Sequence, residues 1–200
     1  MKNFIDTYNV SRETFERLKA YEASLYEWQK KFNLVSNASL ATAWERHFLD
    51  SAQLFKLIPE TARTVIDFGS GAGFPGIPVA IMMSNLEITL VDSLNKRLIF
   101  LEEVIKELKL TNVKLVHSRA EEFGQNKMYR EKFGIATSRA VANLSTLSEY
   151  LIPLVKINGN IISMKAAQAE EEIEQAKNAI KELGGKINKI KEFNLPQSDI

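Results

Sequence analysis

The sequence predicts an α/β fold: a doubly wound, mostly parallel sheet with helices on both faces and a short N-terminal helical extension. Three observations predict it. Short, β-branched apolar runs recur from about residue 64 onward. Helical stretches separate them, and strands that alternate with helices form parallel βαβ units. A glycine-rich loop joins the first run to the helix after it, where a doubly wound sheet keeps its ligand crevice.

The elements follow in order. Ser11 to Phe32 reads as a helix, with Phe15, Leu18, Leu25 and Trp28 on one apolar stripe and Ser11 as N-cap. Asn33 to Ser39 is a polar break, and a second helix is expected from about Leu40 to Leu57, with Pro59 just past its end. These segments form the extension. Strands are expected at Thr64–Phe68, Ile88–Asp92, Val113–Val116, Phe133–Thr137 and Asn160–Met164, with a sixth at Lys186–Ile190. Helices are expected between them at about Gly76–Met83, Asn95–Leu108, Leu144–Leu154 and Gln168–Leu183. The 200 residues suit one main domain. The expected division is 1–60 for the extension and 61–200 for the sheet domain.

Composition excludes some chemistry. The chain has no cysteine, so disulfides, thiolate metal sites and cysteine nucleophiles are ruled out. His47 and His117 are the only histidines, neither has a partner at metal-ligand spacing, and no metal is expected. A net charge of +1 neither demands nor excludes a nucleic-acid partner, because a local basic patch hides inside a neutral total. No apolar signal-peptide core and no run of about 18 apolar residues is present, so a cytoplasmic protein without membrane association is expected.

The loop is Asp67-Phe68-Gly69-Ser70-Gly71-Ala72-Gly73-Phe74-Pro75-Gly76. Glycines let the backbone turn sharply and approach a ligand closely. Three alternating glycines exceed what a plain strand-to-helix turn needs. Phe74 stands where a dinucleotide fingerprint has its third glycine, and no Gly-Lys-Ser/Thr follows, which excludes a phosphate-binding P-loop. The loop alone does not choose the ligand.

Asp92 ends the second strand, where a carboxylate accepts hydrogen bonds from ribose hydroxyls. Its plainer reading is a helix cap. On the ribose reading, replacing it costs ligand affinity with little loss of stability. Ala120 and Glu121 follow the third strand, where an adenine would lie. Glu121 is otherwise a first-turn acid. Arg139 follows the fourth strand, either as a bidentate anion clamp or as a surface ion pair.

Four stretches together carry a family resemblance: Arg46-His47-Phe48-Leu49-Asp50-Ser51, the loop to Pro78, Val91-Asp92-Ser93-Leu94-Asn95-Lys96-Arg97, and Ser138-Arg139-Ala140-Val141-Ala142. The chain resembles the glucose-inhibited division protein B family, the bacterial 16S ribosomal RNA guanine-N7 methyltransferases, from about Trp28 to Pro196. The resemblance implies a class I, Rossmann-like methyltransferase fold, S-adenosyl-L-methionine as cofactor, and a guanine of small-subunit ribosomal RNA as acceptor. It implies cofactor contacts at Gly69, Phe74, Ala120, Glu121 and Arg139. Asp92 matches the ribose-binding acid of the wider superfamily. It also implies a seventh, antiparallel strand. The sequence ends at Ser198-Asp199-Ile200 about where that strand would begin, so either the chain is truncated or its sheet edge is unusual.

Guanine N7 has a free lone pair, so no catalytic acid or base is expected, and alignment supplies the rate. Arg46, His47 and Lys165 are expected to line an RNA-facing rim, with 16S ribosomal RNA or the small subunit as partner of a monomer. Arg97 is a further candidate for that rim, but its plainer reading is a solvated helix face near Glu102 and Glu103. Two other readings compete. One is a nicotinamide-dependent oxidoreductase, resting on Gly69, Gly71 and Asp92. The other is a non-catalytic module that binds RNA or cofactor on the same fold.

Overall fold

The computed structural model describes residues 2–139, 141–165 and 169–193, without the side chains of Lys2, Asn3 and Glu121. Five strands form the sheet: β1 Thr64–Phe68, β2 Glu87–Asp92, β3 Val113–His117, β4 Phe133–Arg139 and β5 Val155–Met164. Their order is β3-β2-β1-β4-β5 and every pairing is parallel. Strand order reverses between β1 and β4, which opens a crevice at their C-terminal ends. The register brings the ends of β1 and β2 level, pairing Asp67 with Leu90 and Phe68 with Val91.

Alternate side chains of the strands feed two cores. On one face Val65, Ile88, Leu90 and Ile135 pack with α2 (Arg12–Gln29), α5 (Gly76–Met82) and α6 (Asn95–Glu107). On the other, Ile66, Phe68, Val91 and Ala136 pack with Leu147 and Leu151 of α8 (Leu144–Leu151). Strands buried on both faces read as continuous apolar runs, which is why they were legible. The N-terminal helices share the first core. Phe15, Leu18, Tyr21 and Leu25 of α2 are all buried in it. Ser11 caps α2 as expected, its hydroxyl accepting from the Thr14 N–H at 3.0 Å.

The second helix differs from expectation. A short α3 (Asn37–Leu40) starts inside the expected polar break, because the Ser36 hydroxyl caps the Ser39 N–H. A π-helical turn, Trp44–Leu49, then runs through α4 (Asp50–Ala52) into a 3₁₀ turn, Gln53–Lys56. The wide π turn lets Trp44, His47, Phe48 and Leu49 all face inward, a broader buried arc than the apolar stripe of a surface α-helix. Short helices α1 (Lys2–Tyr8) and α7 (Ala120–Phe123) were not anticipated, and β5 begins earlier than expected.

The expected sixth strand at Lys186–Ile190 does not form: these residues follow α9 (Glu170–Glu182) without regular structure. Among the described residues no neighbouring strand pairs with them, and Ile187 and Ile190 stay exposed. A strand needs a ladder partner to satisfy its backbone groups, which alternation of side chains alone does not provide. Ala140 in the fourth family stretch, the expected helix start at Gln168 and the terminal Ser198–Ile200 lie outside the described residues. Among the described residues, no helix is long and apolar enough to cross a membrane.

Candidate functional site

The glycine loop hangs from the end of β2. The Gly69 and Ser70 N–H groups both donate to the Val91 carbonyl, at 2.8 and 3.0 Å. Gly73 holds φ near +91°, a backbone state that side-chain-bearing residues rarely adopt. A Cβ there would also strike Leu101, Ile77 and the Tyr21 hydroxyl. Gly71 also has positive φ, but a Cβ on it would meet only the Gly69 carbonyl at 4.0 Å. The space over Gly71 is therefore free for a ligand to approach the backbone.

The crevice has a volume of about 430 Å³. Gly69, Ser70, Gly71, Ala72 and Phe74 form its floor. Asp92 and Ser93 come from the end of β2, Ser118 and Ala120 from beyond β3, and Arg139 and Val141 from the end of β4. Five of the six residues expected to contact cofactor thus gather around one cavity. The Glu121 side chain lies outside the described residues. Leu34 and Val35 of the extension, and Arg97, also line the cavity.

Asp92 is 3% exposed and its carboxylate is already occupied. Oδ2 accepts from the Gly71 N–H at 2.8 Å, and Oδ1 from the Leu94 N–H at 2.9 Å. Arg97 Nη1 lies 3.2 Å from Oδ2 and 3.5 Å from Oδ1. Asp92 therefore ties the loop and the end of β2 to the turn that leads into α6, whose N-cap position is Leu94 rather than Asp92. Arg97 corrects the expectation of a solvated face. It lines the crevice and pairs with Asp92, and among the described residues its buried Nε has no hydrogen bond.

Arg139 is held by the π-helical turn and the residue after it. Its Nη1 donates to the Arg46 carbonyl at 2.9 Å and pairs with Asp50 at 3.0 Å, while Nη2 donates to His47 Nδ1 at 3.0 Å. A guanidinium only donates, so His47 Nδ1 accepts and the neutral ring carries its proton on Nε2. That Nε2 is buried without a partner among the described residues. The His47 ring stacks on Phe74 at 4.8 Å, and the Arg139 guanidinium lies 5.4 Å from the same ring. Burial, reinforced by the Arg139 charge, pushes the His47 pKa down to about 4. His47 thus lies beneath the loop rather than on an exposed rim. Lys165 is also engaged, donating to the Ala142 carbonyl and to Glu172, both at 2.6 Å.

Two side chains that support the loop were missed from sequence. Tyr21 sends its hydroxyl to the Ala72 carbonyl, and its ring packs 5.2 Å from Phe74. Its place three residues past Leu18 continues the apolar stripe, which was the available signal. Asp67 Oδ2 accepts from the Gly76 N–H at 2.8 Å, while Oδ1 has no partner among the described residues. Complete burial raises its pKa to about 7.

This gives a prediction with a definite sign. Between pH of about 4 and 7 the unfolded chain has released the Asp67 proton that the folded chain keeps. The contribution of Asp67 to stability is full below that window and falls as pH rises through it. His47 acts oppositely, losing its contribution as pH falls from 6.5 towards about 4. In urea melts across this range, wild type should lose stability relative to Asp67→Asn as pH rises. A constant difference would contradict the raised pKa.

Comparison with known proteins agrees with this geometry. The family model described as GidB, rRNA small subunit methyltransferase G, matches residues 14–200. A ribosomal RNA small subunit methyltransferase G of Clostridium perfringens is 45% identical over 203 residues, covering 100% of this chain and 85% of that protein. One from Lactococcus lactis is 46% identical over 192 residues, covering 95% and 81%. Among solved structures, a SAM-dependent methyltransferase from Aquifex aeolicus aligns with a TM-score of 0.52 at 15% identity, covering 72% of this chain and 82% of that one. Haemonchus contortus phosphoethanolamine N-methyltransferase 2, in complex with S-adenosyl-L-methionine, aligns with a TM-score of 0.53 at 18% identity, covering 68% and 36%. At these identities the structures establish a shared fold, and the sequence matches over 95–100% of this chain establish kinship. The chain belongs to the rRNA small subunit methyltransferase G family.

Proposed function

We propose that this protein transfers a methyl group from S-adenosyl-L-methionine to N7 of a guanine in 16S ribosomal RNA of the small subunit. The family match over residues 14–200 carries the reading. The crevice is compatible with it. Its 430 Å³ falls within the range of about 300–1,000 Å³ usual for small-molecule pockets. The open backbone over Gly71 suits close approach of a ligand. Gly69, Phe74, Asp92, Ala120, Glu121 and Arg139 are the proposed cofactor contacts, and Arg46 and Lys165 the proposed RNA-side residues, with His47, buried beneath the loop, supporting Arg139 instead. The protein is proposed to work as a cytoplasmic monomer.

When bound, the cofactor supplies an electrophilic methyl on a sulfonium. Guanine N7 already carries a lone pair, so the chain need not remove a proton. Its residues bind and align, which for a well-held pair is worth roughly 7–11 kcal/mol. His47, neutral and bonded to Arg139, suits a supporting role better than acid–base work. To accept both ribose hydroxyls, Asp92 would give up Arg97, since a carboxylate offers about four lone-pair sites and three donors already use it.

The test is calorimetry with S-adenosyl-L-methionine, followed by labelled methyl transfer to small subunits from cells lacking the modification. Micromolar or tighter binding and label on guanine N7, mapped by mass spectrometry, are expected. No binding heat, or label on another atom, would overturn the reading.

A further inference from the structure

A second cavity, a shallow, open depression of about 580 Å³, adjoins the crevice. Asn33, Leu34, Val35, Ser36, Asn37 and Arg97 line it, and Leu34, Val35 and Arg97 line the crevice as well. The two spaces are therefore neighbours across one seam. We propose that this cavity is the subsite that reads the acceptor guanine, with the Asn33 and Asn37 amides accepting from its N1–H and 2-amino group. The proposal rests on the methylation reading above and names the residues that choose the base.

The segment is built to be rigid. Gln29, at the end of α2, accepts from the Leu34 N–H at 2.9 Å and the Val35 N–H at 3.1 Å through one oxygen. Its amide nitrogen donates to the Val35 carbonyl at 2.9 Å. One side chain thus satisfies three backbone groups, much as a neighbouring strand would. Leu34 is buried, which pins the segment from below. Ser36 is spent on capping α3.

What the segment offers outward is different. Asn33 and Asn37 are exposed, and neither side chain makes a hydrogen bond among the described residues. Two unengaged amides on a braced segment are ready to bind a polar edge. The geometry of guanine selects which edge. N7 and O6 share one side of the base, so presenting N7 to the crevice turns the N1–H and 2-amino side away from it. Those two groups donate, and an amide oxygen accepts. Adenine has an acceptor at N1 and no 2-amino group, so acceptors here favour guanine. Single-stranded bases are commonly read on this edge once splayed from their stack.

The test compares wild type with Asn33→Ala/Asn37→Ala on reconstituted small subunits carrying guanine or inosine at the target position. Inosine keeps N7, O6 and N1–H but lacks the 2-amino group. Wild type should lose about tenfold in kcat/KM on inosine, the value of one lost hydrogen bond. The double variant should lose at least about tenfold on guanine, and should no longer distinguish guanine from inosine. Its affinity for S-adenosyl-L-methionine should match wild type. Wild-type transfer by the variant, retained discrimination, or a parallel loss of cofactor affinity would each overturn the proposal while leaving the methylation reading intact. Failure of wild type on the guanine subunit would instead sink that reading, and this one with it.

Discussion

Asp92→Ala should lower affinity for S-adenosyl-L-methionine at least tenfold, about 1.4 kcal/mol, and also destabilise the fold. On the ribose reading of the sequence little loss of stability was expected, and on the capping reading no loss of affinity. The structure changes that. Removing the carboxylate leaves the Gly71 and Leu94 N–H groups without their acceptor and Arg97 without its counter-charge. With Asp92 only 3% exposed, a loss of about 2–4 kcal/mol is expected. Arg97, partly exposed, recovers some hydration. Calorimetry at a temperature where the variant is folded separates the two effects, with a denaturant melt for stability. Unchanged cofactor affinity beside lost stability would reduce Asp92 to a structural tie.

Arg139→Ala should cost more than a surface ion pair does. Three hydrogen bonds to the 46–50 stretch disappear, and Asp50 and His47 lose their common partner. The expected cost is about 2–3 kcal/mol of stability. Methyl transfer should fall at least thirtyfold if Arg139 also touches cofactor, which corresponds to about 2 kcal/mol. A separate reporter comes from His47. Burial is the main cause of its lowered pKa and the Arg139 charge the second. The variant's His47 should therefore titrate above the wild-type value of about 4, while staying below that of a free histidine. Proton NMR on the ring measures this directly. Arg139→Lys should not restore the network, because an ammonium cannot reproduce the planar fork that reaches three acceptors. An unmoved His47 titration would show that the two groups are not coupled as the geometry implies.

Both predictions depend on contacts between distant parts of the chain, which marks where sequence reading ran short. The β1–loop–α5 unit was legible because its determinants are local. A β-branched run, glycines at the positive-φ positions Gly69, Gly71 and Gly73, and the apolar start of α5 adjoin in sequence. The same holds for Ser11 as cap and for the strands buried on both faces. Lys186–Ile190 had the alternation of a strand, yet among the described residues no partner strand lies beside it. Pairing is a property of the sheet, not of the segment. Arg97 failed for a related reason. Its neighbours in sequence include Glu102 and Glu103, but the packing of α6 against β2 aims it at Asp92 instead.

By itself, the sequence determined the sheet, its glycine loop, the absence of cysteine chemistry and, through four stretches, the family. These follow from backbone preferences and short patterns that need no distant partner. Only the tertiary structure decided the state of the site residues. Arg139 meets Asp50 across 89 positions and His47 across 92, and Tyr21 meets Ala72 across 51. Burial and charge at such meetings set the His47 and Asp67 pKa values and occupy the Asp92 carboxylate. Packing of the extension against the sheet domain also brings Leu34 and Val35 to the edge of the crevice. Desolvation and hydrogen-bond satisfaction depend on which groups fold together, and no local pattern records that.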